Sequence, residues 1–401
     1  MQLQGLTVSD YRNLAEAELS LGPGFTVLWG HNGAGKTNVL EAIYLVSTLR
    51  SFRTSDLGVL VREQAPGSRV VVRGFDEGLG VSTTLEVRLE RRGETTRRTA
   101  TADGKVVRSG AAFYGRVRAV LFTPEDLGVL RGGPTGRRQF MDRVLFGRER
   151  GHIADVQSYE KLLRSRNRVL RDSNTGSVRG SDRERMLEAY EVGLAQTGAR
   201  LWTRRVELLA ELQGRFSQAF SRIHGEAGEQ AGDGAGAGAG DGAALQATLR
   251  YACKLGEVAA AEREAALAQA LAERRELDER RGGTSVGPHR DDLMVELDGR
   301  PAGDFASQGQ SRALVLAFKL AEVQSARERS PDGSPPLLLL DDVSSELDPG
   351  RTALLFRTLG EQAGQCILTT TSPRFIALPP QVLARRFRVD RGTITPDDGP
   401  A

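Results

Sequence analysis

The sequence predicts an α/β protein with a head assembled from both chain ends and a mainly helical arm inserted between them. Three observations carry this. A glycine-rich loop follows a short apolar run and precedes helix-periodic residues within the first 44 positions. A second apolar run, ending in two aspartates, lies near the other end. Between them, 135–172 and 182–224 have helical patterning with many charges.

The elements follow in order. Leu3, Leu6 and Val8 mark a first extended segment, and Ala17, Leu19 and Leu21 alternate in a second. Gly22-Pro23-Gly24 makes a turn. Phe25-Thr26-Val27-Leu28-Trp29 reads as a buried strand, and Val39, Leu40, Ile43 and Tyr44 recur at helical spacing. Residues 69–108 hold two or three strand-like stretches, and 117–122 another. Leu201, Leu208, Leu209 and Leu212 form an apolar stripe in the arm. The run 231–244 is almost all Gly, Ala and Asp and reads as a flexible loop. Residues 245–281 read as helical, 293–297 as a strand and 310–327 as a helix. The runs 337–340 and 366–370 complete the pattern. The expected organisation is head 1–125, arm 126–284 and head again 285–401.

Composition excludes several classes. Apolar residues are 39% and charged residues 27%, ordinary for a soluble protein. No apolar run approaches the ~20 residues of a membrane span, and no signal peptide is evident. Cys253 and Cys366 stand far apart, which fits a reducing cytoplasm, and the four histidines have no metal-ligand spacing. Net charge is only +3, so local clusters inform more than the total.

Gly30-His31-Asn32-Gly33-Ala34-Gly35-Lys36-Thr37 matches the P-loop pattern in full and in its required context. Glycines let backbone N–H groups turn towards phosphate oxygens, and the helix start adds partial positive charge. Lys36 would reach the β- and γ-phosphates of ATP, and the Thr37 hydroxyl would ligate Mg²⁺. The competing reading, a chance glycine turn, does not explain the strand before and the helix after. Pro336-Leu337-Leu338-Leu339-Leu340-Asp341-Asp342 has the Walker B arrangement. Asp341 would hold Mg²⁺, and Asp342 would polarise the attacking water. By itself this pattern equally describes a solvated acidic loop after a core strand; the upstream P-loop decides between them. The distance from Lys36 to Asp341, 305 positions, suggests a head split by an insertion.

Ser307-Gln308-Gly309-Gln310 precedes Asp341 by 34 positions and starts a helix. It resembles the ABC-type signature, which closes over the nucleotide of a second subunit. An ordinary N-cap would look similar in isolation; order and spacing separate them. Ser345-Glu346-Leu347-Asp348 resembles the D-loop. Further matching stretches are Tyr11-Arg12-Asn13-Leu14, Thr123-Pro124-Glu125-Asp126-Leu127, Gly132-Gly133-Pro134 with Arg137-Arg138, and Gly287-Pro288-His289-Arg290-Asp291-Asp292-Leu293. Together these make the head similar to the ABC/SMC class and the whole chain similar to the bacterial RecF family.

The resemblance implies an SMC-like head, a short helical arm and no long coiled coil. It implies a weak ATPase that dimerises with ATP, with Arg12 and the signature joining the nucleotide site. It further implies DNA binding in recombinational repair, with RecR and RecO helping to load RecA at gaps, and ties to replication and the SOS response. Three departures argue for slow hydrolysis. Asp342 stands where many ABC ATPases have Glu, Thr370-Thr371 where they have a switch His, and Phe122-Thr123-Pro124 where a Gln is usual.

Two segments are candidate DNA surfaces. Residues 131–171 hold eleven Arg or Lys against four Asp or Glu, and 88–108 hold seven against three. In the first, Arg137, Arg138, Arg164, Arg166 and Arg168 are the candidate contacts. The opposing reading is a solvated helix face with internal ion pairs. Aromatics are few, at 5%, which favours backbone contacts over base stacking. Two rival functions share the head motifs: a transport-type ATPase subunit, and a nucleotide-gated dimer that never hydrolyses.

Overall fold

The computed structural model describes every residue except 77, 79, 109, 150, 173–179, 231–244, 331–332, 343–348, 363, 377, 379–382 and 398–401. The expected flexible run 231–244 and the D-loop-like Ser345-Glu346-Leu347-Asp348 lie outside the described residues. The chain divides into two compact units. The head unit is Met1–Gly128, Arg215–Ala244 and Gln308–Ala401; the arm unit is Val129–Gly214 and Leu245–Ser307.

The head unit has two six-stranded sheets. One is antiparallel, in the order Leu14–Ser20, Gln2–Tyr11, Gly67–Asp76, Val81–Arg92, Thr95–Ala102, Lys105–Val106. Its strands alternate, with Leu6, Val8, Val70, Val72, Leu85 and Val87 buried, as a half-covered sheet requires. The other runs Thr393–Pro396, Ala384–Asp390, Gly24–Trp29, Gln365–Thr370, Leu337–Leu340, Ala119–Phe122. All its pairings are parallel except the first. Leu337–Leu340 and Gln365–Thr370 are buried at every position, which explains their unbroken apolar sequence. Helix Lys36–Thr48 is buried throughout from Val39 onward, so its sequence is apolar nearly all round rather than striped.

The arm unit contains helices Pro134–Arg148, His152–Asp172, Arg263–Glu273 and Arg275–Arg281. Helix Gly180–Gln230 has 51 residues and passes from the arm unit into the head unit at Arg215. A three-stranded antiparallel sheet pairs Ala247–Ala252 with Asp292–Leu297 and the latter with Arg300–Pro301. No helix among the described residues is long and apolar enough to cross a membrane.

Three sequence expectations need correction. The span 245–281 begins with strand Ala247–Ala252, not a helix, because Thr248, Leu249 and Tyr251 suit a strand and find a partner in Asp292–Leu297. That pairing also keeps 285–307 in the arm unit, so the return to the head falls at Gln308 rather than residue 285. Strands Ala384–Asp390 and Thr393–Pro396 were not expected; their many arginines hide an edge hairpin that buries only Phe387 and Val389 deeply.

Candidate nucleotide site

The loop Gly30–Thr37 joins the central parallel strand Gly24–Trp29 to the buried helix. Two glycines are dictated by geometry. Gly30 has φ +154° and a Cβ there would lie 2.1 Å from the Val389 carbonyl oxygen; Gly35 has φ +115° and a Cβ would meet the Asn13 amide at 2.7 Å. A side chain at either position would force the loop open. His31, Asn32 and Gly33 are exposed, while Ala34, Gly35 and Lys36 are buried. Lys36 Nζ donates to the Gly30 carbonyl at 2.7 Å and the His31 carbonyl at 3.0 Å. Burial lowers its pKa, while Asp342 and Asp341 pull the other way. The ammonium is thus folded onto its own loop, between main-chain carbonyls and two carboxylates.

The second half of the site comes from register. Leu340 lies beside Leu368 on one side and Phe122 on the other, so the residues after these three strands emerge together. The Thr37 hydroxyl donates to Asp341 Oδ1 at 2.8 Å, and the Thr369 hydroxyl donates to the same oxygen at 2.8 Å. Thr369 Oγ1 also accepts the Asp342 N–H at 2.8 Å. Asp342 takes φ +43°, an uncommon conformation for a residue with a side chain and frequent at functional sites. Burial raises the Asp341 pKa, its two hydroxyl donors and Arg53 lower it, and Glu125 raises it. Thr37 and Asp341 bring two hard oxygen donors together. This donor set suits a small divalent cation that keeps water and phosphate ligands, such as Mg²⁺. Among the described residues no group of three or more His, Cys, Asp or Glu could hold a metal unaided.

A polar rim ties the loop to its neighbours. Asn13 Nδ2 donates to the Ala34 carbonyl at 3.1 Å, and Asn38 Nδ2 donates to Asn13 Oδ1 at 2.7 Å. Arg53 Nη1 donates to Asn38 Oδ1 at 2.9 Å. Arg12, expected at the nucleotide, forks onto the buried Glu41 at 2.8 and 2.9 Å. Gly392 N donates to the Ala34 carbonyl at 2.8 Å, so the late hairpin also braces the loop. Sequence reasoning missed Glu41, Arg53 and Thr369 as site residues. Thr369 was findable, because a strand parallel to Leu337–Leu340 places its own end beside Asp341.

The remaining motif residues are less engaged with this centre. Thr370, at the expected switch position, is buried, and its hydroxyl donates to the Ser372 carbonyl at 3.0 Å. The Asp126 carboxylate accepts the Thr123 N–H at 3.1 Å at the start of the short helix Pro124–Leu127, which leaves Glu125 exposed. In the signature, helix Gln308–Glu328 begins directly after Ser307. Ser307 and Gln308 are exposed, and Gly309 and Gln310 are half-buried. A small exposed serine and helix N–H groups present an anion-accepting end.

The candidate DNA arginines divide sharply. Arg166 is fully buried, donating to Asp278 at 2.8 Å, Thr284 at 2.8 Å and Glu191 at 3.0 Å. It therefore holds the arm together and is withdrawn as a DNA contact. Arg137 forks onto Asp292 at 2.8 and 2.6 Å, and Arg138 donates to the Asp291 carbonyl at 2.9 Å; both are committed to the arm's own strand. Arg164 and Arg168 are exposed. In the segment 88–108, Arg88 pairs with Glu86, and Arg92 lies 3.4 Å from Glu90. Both pairs lie along the strand Val81–Arg92, and the first, to a glutamate outside the segment, offsets part of its excess.

A family model described as RecF/RecN/SMC N terminal domain matches residues 2–395. The chain is 42% identical over 399 residues to the DNA replication and repair protein RecF of Anaeromyxobacter sp. (strain Fw109-5), covering 99% of each. It is 39% identical over 398 residues to the protein of the same description from Geobacter sulfurreducens, covering 99% of this chain and 100% of that one. A solved recombination mediator protein RecF-ATPrS of the RecFOR pathway superposes with a TM-score of 0.82 at 27% identity, covering 98% of this chain and 97% of the other. An Smc head bound to the C-winged helix domain of ScpA gives a TM-score of 0.52 at 15% identity over 99% and 98%, a likeness of fold.

Proposed function

Because this chain belongs to the RecF family, we propose that it serves DNA replication and repair as an ATP-controlled, DNA-binding switch with slow ATP turnover. The observation that carries the reading is the meeting of Thr37, Thr369 and Asp341 beside Lys36. The same elements in a transport-type subunit would not explain relatives described throughout as repair proteins.

ATP would lay its phosphates along the loop N–H groups, and Lys36 would exchange the Gly30 and His31 carbonyls for phosphate oxygens. Thr37 and Asp341 would hold a Mg²⁺ ion, which would supply positive charge to offset the phosphates. Asp342 would accept a hydrogen bond from the attacking water. Its carboxylate is one methylene shorter than a glutamate's, and its backbone is tied to Thr369. Both features favour a long-lived ATP state. Ser307, Gln308, Gly309 and Gln310 would complete the site of a second copy, making the active species a homodimer. Arg164 and Arg168 would contact DNA phosphates, at single-strand/double-strand junctions. Cooperation with RecR and RecO, and loading of RecA at gaps, enter this proposal through the family.

Sedimentation with ATP, ADP or no nucleotide, each repeated with gapped DNA, tests the reading. ATP alone should drive dimerisation, and the dimer should take up DNA. A chain that stays monomeric with ATP and binds DNA equally without it would overturn the proposal.

A further inference from the structure

The loop before helix Pro134–Arg148 is fastened to the segment that runs into the signature. Arg137 Nη1 donates to the Gly132 carbonyl at 2.5 Å and the Leu130 carbonyl at 3.4 Å, while its Nε and Nη2 hold Asp292. A Cβ at Gly303 would lie 2.5 Å from the Leu130 carbonyl oxygen, so the two backbones meet where only glycine fits. Arg131 Nη2 then donates to the Ala306 carbonyl at 3.0 Å. Ala306 is the residue before Ser307, and all of these residues belong to the arm unit.

The Arg131 side chain is nonetheless open. Residues 131–136 are all exposed, and among the described residues no carboxylate pairs with its guanidinium. Asp304, on the wall of the same 220 Å³ cavity, acts on Arg137 instead. A bond to a neutral carbonyl leaves the positive charge unmatched and most donors of the fork facing outward. Ser307, one peptide on from that carbonyl, is exposed too. The same edge carries Phe305, 65% exposed, with Arg300 over its ring at 5.8 Å from the centroid. Arginine and exposed aromatic side chains together are the composition of a protein contact surface.

We infer that Arg131 is a contact in trans, recognising the terminal phosphate of the nucleoside triphosphate held by a second copy of this chain. Ser307, Gln308, Gly309 and Gln310 carry no charge, so a closing subunit that offered only these would meet a polyanion with neutral groups. Arg131 supplies the charge, and its planar fork matches a phosphate with two hydrogen bonds where a serine gives one. The tie to Ala306 holds the guanidinium at a set distance from the Ser307 backbone, so both close on the same anion. The inference rests on the trans signature proposed above.

Dimerisation is followed by sedimentation with a non-hydrolysable ATP analogue, and turnover is measured separately. Arg131 is on the surface, so Arg131→Ala should fold, and its monomer should bind ATP like the parent in calorimetry. Its dimer should be weaker by about tenfold, the scale of one hydrogen bond to a charged group. Turnover should fall by about a hundredfold, the lower range for removing one donor to the transferring group. Arg131→Lys still reaches a carbonyl but lacks the fork, so it should recover only part. Mixing separates trans from cis. Arg131→Ala and Lys36→Met chains together build one intact composite site and should turn over faster than either alone. A chain carrying both substitutions builds no intact site with the parent and should lower the parent's turnover. No gain in the first mixture, or no loss in the second, would overturn the trans assignment. Full rescue by lysine would overturn it too, marking Arg131 as a prop for the Ala306 carbonyl. So would unchanged dimerisation and turnover, and weaker DNA binding in that case would mark a DNA contact instead. A parent chain that stays monomeric with ATP fails the dimer reading itself, and the Arg131 inference falls with it.

Discussion

In the arm unit, Arg166 is wholly buried, and its partners Asp278 and Glu191 belong to the same unit. Arg275 adds a second cation on Glu191 at 2.6 Å. In the head unit, Lys36 is buried too, but it rests on two loop carbonyls, with Asp341 and Asp342 acting on it from nearby. The arm's charges have found their counter-charges within the fold. Around Lys36, by contrast, a bound phosphate and divalent cation would supply the charges that complete the site. Burial of charge therefore identifies a site only when the matching charge is not already in the chain.

The largest effect should come from breaking the arm's closed network. Arg166→Ala leaves Asp278 and Glu191 buried beside a void, and should cost about 3–5 kcal/mol of stability in denaturant unfolding. Normal stability with weakened DNA binding would instead return Arg166 to the surface and erase the contrast.

His289 probes the same unit by pH. Burial is the main cause lowering its pKa to about 4, with Arg290 and Arg138 adding to it and the Thr284 carbonyl and Asp278 opposing. The unfolded chain, with an ordinary histidine near ~6.5, takes up a proton first as pH falls. Stability contributed by neutral His289 is thus present above about 6.5 and lost progressively towards about pH 4, by roughly 3 kcal/mol. Melting temperatures across that window should fall, and His289→Asn should flatten the slope. An unaltered slope in the variant would assign the pH dependence to other groups, such as the buried His152.

Lys36→Met tests the open site. ATP affinity should drop by about a hundredfold, equivalent to about 2.7 kcal/mol, with arm stability untouched. Equal ATP affinity in the two proteins would mean that the loop does not hold phosphate. The smallest effect is expected at the exposed arm surface. Arg164→Glu combined with Arg168→Glu should weaken DNA binding by about tenfold at moderate salt. The log–log salt slope should become shallower by about two. ATP binding should be unaffected, and unchanged DNA binding would remove both residues from the interface.

Much of the head was legible because its signals are local. The P-loop needs glycines at positions such as Gly30 and Gly35, where any side chain meets Val389 or Asn13. Leu337–Leu340 announces a strand covered on both faces. The arm was less legible: its arginines look alike in sequence, whether buried like Arg166 or exposed like Arg164. Strand Ala247–Ala252 is short, and its pairing with Asp292–Leu297 spans about 40 positions of chain, a non-local choice that no window of sequence contains.

The sequence by itself determined the class of head, the glycine loop between a buried strand and a helix, and the buried strand that runs up to Asp341 and Asp342. Each rests on backbone requirements or on burial patterns written in consecutive residues. Tertiary structure alone decided which charges are partners. It set Arg12 on Glu41, Arg137 on Asp292 and Thr369 on Asp341. The reason is electrostatic: a charge's role depends on the distance to its counter-charge and on the water between them. Both are set by residues far apart in the chain.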